Sequence, residues 1–325
     1  MRALSGTQPS GRLHVGNYFG AIRQYVELQE QGHQCFYFIA NYHALTSIRD
    51  REQLENVTLH VAAGYLALGI DPGRSVFFLQ SDVPQVTELC WILNNVCPVS
   101  LMEKAVSYKD KVAQGLPANV GLFGYPVLQA ADIVIYDANI VPVGQDQKQH
   151  IEMTRDIAGK FNRTYGTEAL VLPEAYIVAT VATVPGIDGR KMSKSYNNAI
   201  EIFATEKQTL KRCMQIVTDS TPLEAPKKPE QCNVFALLKL FADEDEIEEI
   251  AEKYRAGGYG YGHAKTRLGE LINERFAEAR EKYDELTARP DYLRDVLREG
   301  GRKAREVAEQ TMERVRSACG IVTNR

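Results

Sequence analysis

A doubly wound α/β domain with a parallel sheet, followed from about residue 190 by an α-helical domain, is the fold class that this 325-residue sequence predicts. Three observations carry it. Short apolar runs alternate with longer helical segments in the first half of the chain. A glycine-containing turn follows the first of those runs. Beyond about residue 190 every periodic segment has helical spacing. Strands buried on both faces read as short continuous apolar runs, and alternating them with amphipathic helices builds a parallel sheet covered on both sides.

In chain order, Ala3 to Ser5, Cys35 to Ala40 and Val76 to Gln80 are apolar runs bounded by turn residues and read as strands. Asn17 to Glu30 gathers Phe19, Ile22, Tyr25, Val26 and Leu28 largely on one helical face, and Arg51 to Leu68 does the same with Leu54, Val57, Val61, Tyr65 and Leu68. The extended run Asn139 to Val143 leads through Gly144 into a helix over Asp146 to Tyr165. After residue 190 the helices are Glu206 to Val217, Val234 to Phe241, Glu246 to Tyr254, Ala264 to Leu286 and Tyr292 to Ala318, separated by breaks at Pro222 to Pro229 and Gly257 to Gly262. The division is therefore an α/β domain over 1–190 and a helical one over 191–325, and the last helix is expected to pack back on the first domain. The acidic run Asp243 to Glu249 reads as a solvated helix face rather than a metal site.

Composition narrows the class. With 44% hydrophobic and 25% charged residues and a net charge of -4, the chain is that of an ordinary folded protein. Any contact with a polyanion must come from local Lys/Arg patches. The six cysteines form no Cys-x-x-Cys pair and read as reduced core thiols, with no protein metal site expected. No signal-peptide pattern opens the chain and no apolar run approaches the roughly 20 residues of a membrane span, so a cytoplasmic location is expected.

Two motifs carry chemistry. Gly6-Thr-Gln-Pro-Ser-Gly-Arg-Leu-His-Val-Gly-Asn17 joins a strand to a helix, bringing backbone N–H groups to the carboxyl edge of the sheet where phosphates bind. Its glycines at 6, 11 and 16 do not make the Gly-x-Gly-x-x-Gly dinucleotide spacing. Downstream stands Lys191-Met-Ser-Lys-Ser195 behind Pro185-Gly-Ile-Asp-Gly189: two lysines at i and i+3 with small hydroxyl residues, suited to closing over a triphosphate and neutralising charge on departing pyrophosphate.

His14-Val-Gly-Asn17 resembles the first signature of class I aminoacyl-tRNA synthetases, and Lys191 to Ser195 matches their second. Ser5 to Gly11, Gly16-Asn17-Tyr18, His43-Ala-Leu-Thr46, Leu68-Gly-Ile-Asp-Pro72, Ala130-Ala-Asp-Ile133 and Val141 to His150 resemble bacterial tryptophanyl-tRNA synthetases in particular. The resemblance covers almost the whole chain and implies a Rossmann-like catalytic domain, a helical tRNA anticodon-binding domain, a homodimer and no DNA or membrane partner. It implies ATP with Mg²⁺ as substrate, together with L-tryptophan and tRNA(Trp).

Residue by residue, the resemblance puts Gln8, Pro9, Ser10, Gly16 and Asn17 along the ATP, with His14 and Asn17 near the phosphates. Gly144, Gln145 and Asp146 would meet ribose and adenosine, and the Val184 backbone adenine. Lys109, Lys111, Lys191 and Lys194 would engage pyrophosphate, with Met192, Ser193 and Ser195 completing the loop. Tyr125 and Gln147 would take the amino acid's ammonium and carboxylate, and Asp132 the indole N–H. Leu4, His43, Val141 and Val143 would form the ring slot. Tyr125 and Asp132 are seven apart on an expected helix and share a face.

Three positions depart from the family pattern: Gln129 stands where methionine is frequent, Gln145 where glutamate is frequent, and Asn41-Tyr42 precedes His43 in place of Asp-Gln. Tyr125-x-x-x-Gln129-x-x-Asp132 also resembles the amino-acid motif of tyrosyl-tRNA synthetases. Against that stands Met-Ser in Lys191 to Ser195, where tyrosyl enzymes show Phe-Gly. A small adenylyltransferase would leave the long helical region unexplained, and a catalytically dead RNA-binding relative would not keep the histidine, lysines and Asp146 intact. Basic residues of the last helix, Arg302, Lys303 and Arg305, are the expected tRNA contacts.

Overall fold

The computed structural model describes residues 1–104, 115, 118–144, 148–176 and 183–322. Five parallel strands, β1 (Arg2–Thr7), β2 (Gln34–Ile39), β3 (Ser75–Leu79), β4 (Ile140–Pro142) and β5 (Glu174–Tyr176), form one sheet in the order β3-β2-β1-β4-β5. This order reverses direction between β1 and β4. In open α/β sheets the crevice beyond the carboxyl ends at such a reversal is where ligands bind.

The helices are α1 (Val15–Asn17), α2 (Arg23–Glu30), α3 (Asn41–Ala44), α4 (Arg51–Ala67), α5 (Gln85–Asn94), α6 (Val99–Met102), α7 (Val120–Val134), α8 (Lys148–Tyr165), α9 (Glu206–Met214), α10 (Asn233–Leu238), α11 (Glu244–Ala256), α12 (Tyr261–Thr287) and α13 (Pro290–Cys319). The single helix expected over Asn17 to Glu30 is α1 and α2 joined by a π-turn, Tyr18–Ile22. Local chemistry sets the ends. Asp50 caps α4 by accepting from Gln53 N at 2.7 Å, and Asn119 caps α7 by accepting from Leu122 N at 2.8 Å. Asp243, first of the acidic run, caps α11, and Glu246 in that run accepts from Arg267 at 2.6 Å.

By contact density the chain forms two compact units: one of Met1–Gly11, Gln24–Val178 and Arg289–Arg325, the other of Arg12–Arg23 and Ala179–Ala288. In the first, the period of two along the strands sorts the core. Leu4, Phe36, Phe38, Phe78 and Val141 join residues of α5, α7, α8 and α13 in one apolar cluster. The alternate positions Ser5, Tyr37 and Phe77 meet α2 and α4: Ser5 Oγ donates to the Tyr25 hydroxyl at 2.6 Å, while Tyr25 stacks on Tyr37 and Tyr65 on Phe77. Helices thus cover both faces. Gly6 lies inside β1, paired with Phe38, rather than in the turn after it, and a Cβ there would fall 2.3 Å from the Phe38 ring.

Helix α13 lies on the edge strand β3, and two consecutive glycines make that possible. A Cβ on Gly300 would sit 1.8 Å from the Phe77 carbonyl oxygen, and one on Gly301 2.7 Å from Asp82 Cβ. Backbone meets backbone here, so no side chain can step aside. Gly300→Ala should therefore destabilise the protein by about 3 kcal/mol, the upper part of the range for overpacking. Urea unfolding measures this; a loss below about 1 kcal/mol would contradict so close an approach.

On the same helix Arg302 pairs with Glu299 and Glu306, Lys303 lies 3.9 Å from Glu299, and Arg305 donates to the Asp82 carbonyl at 2.6 Å. These three residues, expected to contact tRNA, are already engaged within their own unit. Cations neutralised by adjacent glutamates contribute little to the field that draws in a polyanion.

The second unit is built on α9 and α10 against α12, with Cys213, Leu237, Leu238, Leu268, Ile272 and Phe276 buried among them. Lys227 is 3% exposed, its ammonium donating to the carbonyls of Pro222, Leu223 and Ala225 at 3.0–3.1 Å. It closes the Pro222 to Pro229 break as a hydrogen-bonded turn. All six cysteines are free; Cys35, Cys213 and Cys232 are buried, and Cys90, Cys97 and Cys319 are half-buried rather than in the core. Among the described residues no helix is long and apolar enough to cross a membrane, and no group of three or more His, Cys, Asp and Glu could hold a metal ion.

Candidate active site

The expected site residues form two clusters, each inside one unit. Lys109, Lys111, Gln145, Asp146 and Gln147 lie outside the described residues.

In the second unit the two signatures touch each other. His14 caps α1: its Nδ1 accepts from Asn17 N at 3.2 Å, and Asn17 Oδ1 accepts from His14 N at 3.0 Å, a reciprocal capping box. Burial, then the nearby charge of Lys194, pulls the His14 pKa down to about 4. A neutral imidazole with Nδ1 accepting carries its proton on Nε2, so His14 offers one directed donor. Gly16 N–H donates to Met192 Sδ at 3.3 Å, and Val15 N to the Ile200 carbonyl at 2.9 Å.

The Lys191 to Ser195 segment is tied down at both ends. Met192 N donates to the Val184 carbonyl at 2.9 Å, and Gly186 N to the Arg190 carbonyl at 2.7 Å. Asn198, 1% exposed, accepts from Ser193 N at 2.7 Å and donates to Asp188 at 2.7 Å and to the Lys191 carbonyl at 3.1 Å. Lys194–Tyr196 then forms a 3₁₀ turn. Desolvation lowers the Lys194 pKa to about 8, with Glu201 opposing that shift. Arg12, His14, Lys194, Glu201 and Arg212 line a cavity of about 410 Å³ whose cations outnumber its carboxylate. Lysine, histidine, asparagine and serine are the donors that phosphate oxygens take.

In the first unit Gln8, Pro9 and Ser10 follow β1, and Val143 and Gly144 follow β4, so both flank the point where strand order reverses. Gln8 Nε2 donates to Ser47 Oγ at 3.2 Å. Leu4 and Val141 belong to the buried cluster, with Val143 half-buried against it. Tyr125, Gln129 and Asp132 share one face of α7, as their spacing requires. The Tyr125 hydroxyl and His150 Nε2 share a hydrogen bond of 3.1 Å.

Asp132 is 2% exposed and lies 2.9 Å from His43 Nε2. Burial raises its pKa, while hydrogen bonds from His43 and Gln80 hold the rise back. Gln80, the first residue of the 3₁₀ turn Gln80–Asp82 at the carboxyl end of β3, and Asn198 are the polar residues that sequence reasoning missed. Gln80 acts through long-range bonds that leave no local pattern, whereas Asn198 closes the loop that precedes it.

The fold and this pair of interlocked signatures define a class I aminoacyl-tRNA synthetase. The family model described as tRNA synthetases class I (W and Y) matches residues 1–277, and the chain belongs to that family. Within it, its relatives are tryptophan–tRNA ligases. That of Fusobacterium nucleatum is 54% identical over 323 residues, 99% of each chain, and that of Campylobacter jejuni 55% identical over 321 residues, 99% of this chain and 100% of the relative. The crystal structure of tryptophanyl-tRNA synthetase from Campylobacter jejuni complexed with ADP and tryptophan superposes with a TM-score of 0.92 at 55% identity, covering 98% of this chain and 100% of that one. The Mycoplasma pneumoniae enzyme superposes at 0.83 with 27% identity.

Proposed function

We propose that the enzyme activates tryptophan with ATP, Asp132 taking the amino acid and the two signatures the phosphates. The enzyme ligates tryptophan to tRNA in two steps. The tryptophan carboxylate attacks the α-phosphorus of ATP in line; the new P–O bond forms as the bond to the β-phosphate oxygen breaks, giving tryptophanyl-adenylate and pyrophosphate. The 2′-hydroxyl oxygen of the terminal adenosine of tRNA then attacks the aminoacyl carbonyl carbon, and the bond to the phosphate oxygen breaks to release AMP. Magnesium enters with ATP as part of the substrate.

His14 Nε2–H, the Asn17 amide, Lys191 and Lys194 meet the phosphates, together with Lys109 and Lys111. Gln8, Pro9, Ser10, Gly16, Gly144, Gln145, Asp146 and Val184 hold the nucleoside side. Asp132 accepts from the indole N–H in a slot formed by Leu4, His43, Val141 and Val143, while Tyr125, Gln129 and Gln147 meet the polar end. Positioning and charge stabilisation supply the rate. The observation that carries this is the contact of Gly16 with Met192, which makes the two signatures one site. Pyrophosphate exchange with each of the twenty amino acids tests it: exchange should depend on tryptophan, and preference for tyrosine would overturn the reading.

The sheet domain and the two signatures carry the catalysis and the helices beyond the second signature the anticodon recognition, in the cytoplasm, a location that six unpaired cysteines favour. The working form is a homodimer. Trp91 on α5, Val99 on α6 and Val120 on α7 are 72%, 63% and 86% exposed, and large exposed apolar side chains of neighbouring elements mark an association surface. Trp91→Glu should convert the dimer to monomer in sedimentation equilibrium; a monomeric unaltered protein would refute the dimer.

A further inference from the structure

Asp132 does not stand alone. The Gln80 Nε2 atom lies 2.9 Å from its Oδ1 and 2.8 Å from its Oδ2, and His43 Nε2 is 2.9 Å from Oδ2. Gln80 is 1% exposed, and the direction of its amide is set by the backbone. Its Oε1 accepts from Tyr42 N at 2.9 Å and from His43 N at 3.4 Å. With Oε1 facing two N–H groups, the NH₂ end must face Asp132; a flipped amide would set oxygen against carboxylate and NH₂ against N–H. The neighbouring residues fix the same geometry, since Asn41 Nδ2 donates to Ser81 Oγ at 2.7 Å and Ser81 N to Asn41 Oδ1 at 3.0 Å. The carboxyl ends of β2 and β3 are thereby locked together and, through Gln80, to α7.

We propose that Gln80 is a specificity-determining positioning residue, whose backbone-anchored amide keeps Asp132 a fixed hydrogen-bond acceptor for the ring N–H of the amino acid. The proposal rests on the assignment of Asp132 to that N–H. A buried carboxyl that takes up a proton presents an O–H and stops discriminating between rings with and without a donor. An NH₂ group can only donate, so it opposes protonation of the oxygens it faces and leaves their remaining lone pairs in one direction. The other titratable groups around Asp132 are His43 of α3, Cys90 of α5 and Tyr136 just past α7. None of them has its donor direction fixed by two backbone N–H groups as Gln80 has.

The test uses the full-length enzyme in pyrophosphate exchange with tryptophan and with its analogue bearing sulfur in place of the indole N–H. Gln80→Met keeps the volume and removes the amide. The KM for tryptophan should rise about 10- to 100-fold with kcat changed less than about threefold, and the tryptophan-to-analogue ratio of kcat/KM should narrow about tenfold. In Gln80→Glu one oxygen still accepts from Tyr42 N–H while the other meets Asp132, so the pair must share a proton. Its KM for tryptophan should then improve as pH falls from about 8 to about 6, a trend the unaltered enzyme lacks. An unchanged ratio in Gln80→Met, whatever happens to thermal stability, makes Gln80 a structural residue and overturns the proposal. If the unaltered enzyme itself activates the analogue as well as tryptophan, the assignment of Asp132 falls and the proposal with it; the enzyme in which discrimination is missing tells the two failures apart.

Discussion

Lys194→Ala is expected to lower the rate of tryptophan activation by about two to three orders of magnitude, the usual result of removing one donor that stabilises transition-state charge. Half-saturation by ATP should move much less. The reason lies in where the ammonium sits. Lys194 shares a cavity with Arg12, His14, Glu201 and Arg212, and its charge acts most strongly on the negative charge that builds up as pyrophosphate departs. With a pKa lowered to about 8 by desolvation, the ammonium is charged below that pH and lost above it. The kcat/KM for ATP should accordingly fall as pH rises through about 8, and Lys194→Ala should flatten that limb. A loss confined to ATP affinity with turnover intact would mean the lysine binds ground and transition states alike.

Asp132→Ala should remove most of the tryptophan activation and collapse the preference over phenylalanine. A buried acceptor left unpaired by a ring with no donor is costly, and sites of this kind reject such analogues by about 10⁴ to 10⁵. The variant also strips partners from Gln80 Nε2 and His43 Nε2, so some stability goes with it. Thermal unfolding measured beside the exchange kinetics separates the two effects. Retention of the tryptophan-to-phenylalanine ratio in a folded Asp132→Ala enzyme would assign recognition to shape alone.

The sheet was legible where burial was continuous. β1, β2 and β3 fall on the runs Ala3 to Ser5, Cys35 to Ala40 and Val76 to Gln80, because a strand covered on both faces is mostly apolar, and a polar residue there, such as Ser5, needs a hydrogen-bond partner. β5 was not: Glu174-Ala-Tyr176 is three residues long with its ends exposed, and neither length nor alternation marks it. The last helix was read as Tyr292 to Ala318 and runs Pro290–Cys319, a difference of the kind that fraying ends produce.

Among site residues, His14 and Asn17 were placed together by their resemblance to the first signature, but the capping box that joins them was not read. Asp132 and Tyr125 were placed by the resemblance, and helical spacing put them on one face. Gln80 was invisible, since its partners Tyr42 and Asp132 lie 38 and 52 residues away. The basic residue Arg305 looked available in sequence, and only the fold reveals the Asp82 carbonyl beside it.

The seat of α13 on β3 has a consequence for how the chain is made. Phe77 leaves the ribosome long before Gly300, and at about 5–20 residues per second the strand waits on the order of ten seconds or more for the helix that covers it. Throughout that interval the sheet ends in an uncovered edge flanked by Phe77 and Phe78, the sort of surface on which nascent chains pair wrongly with one another. A premature stop before Pro290 would freeze the chain in that condition. Such a product should be lost to aggregation during synthesis, before any question of its catalytic competence arises.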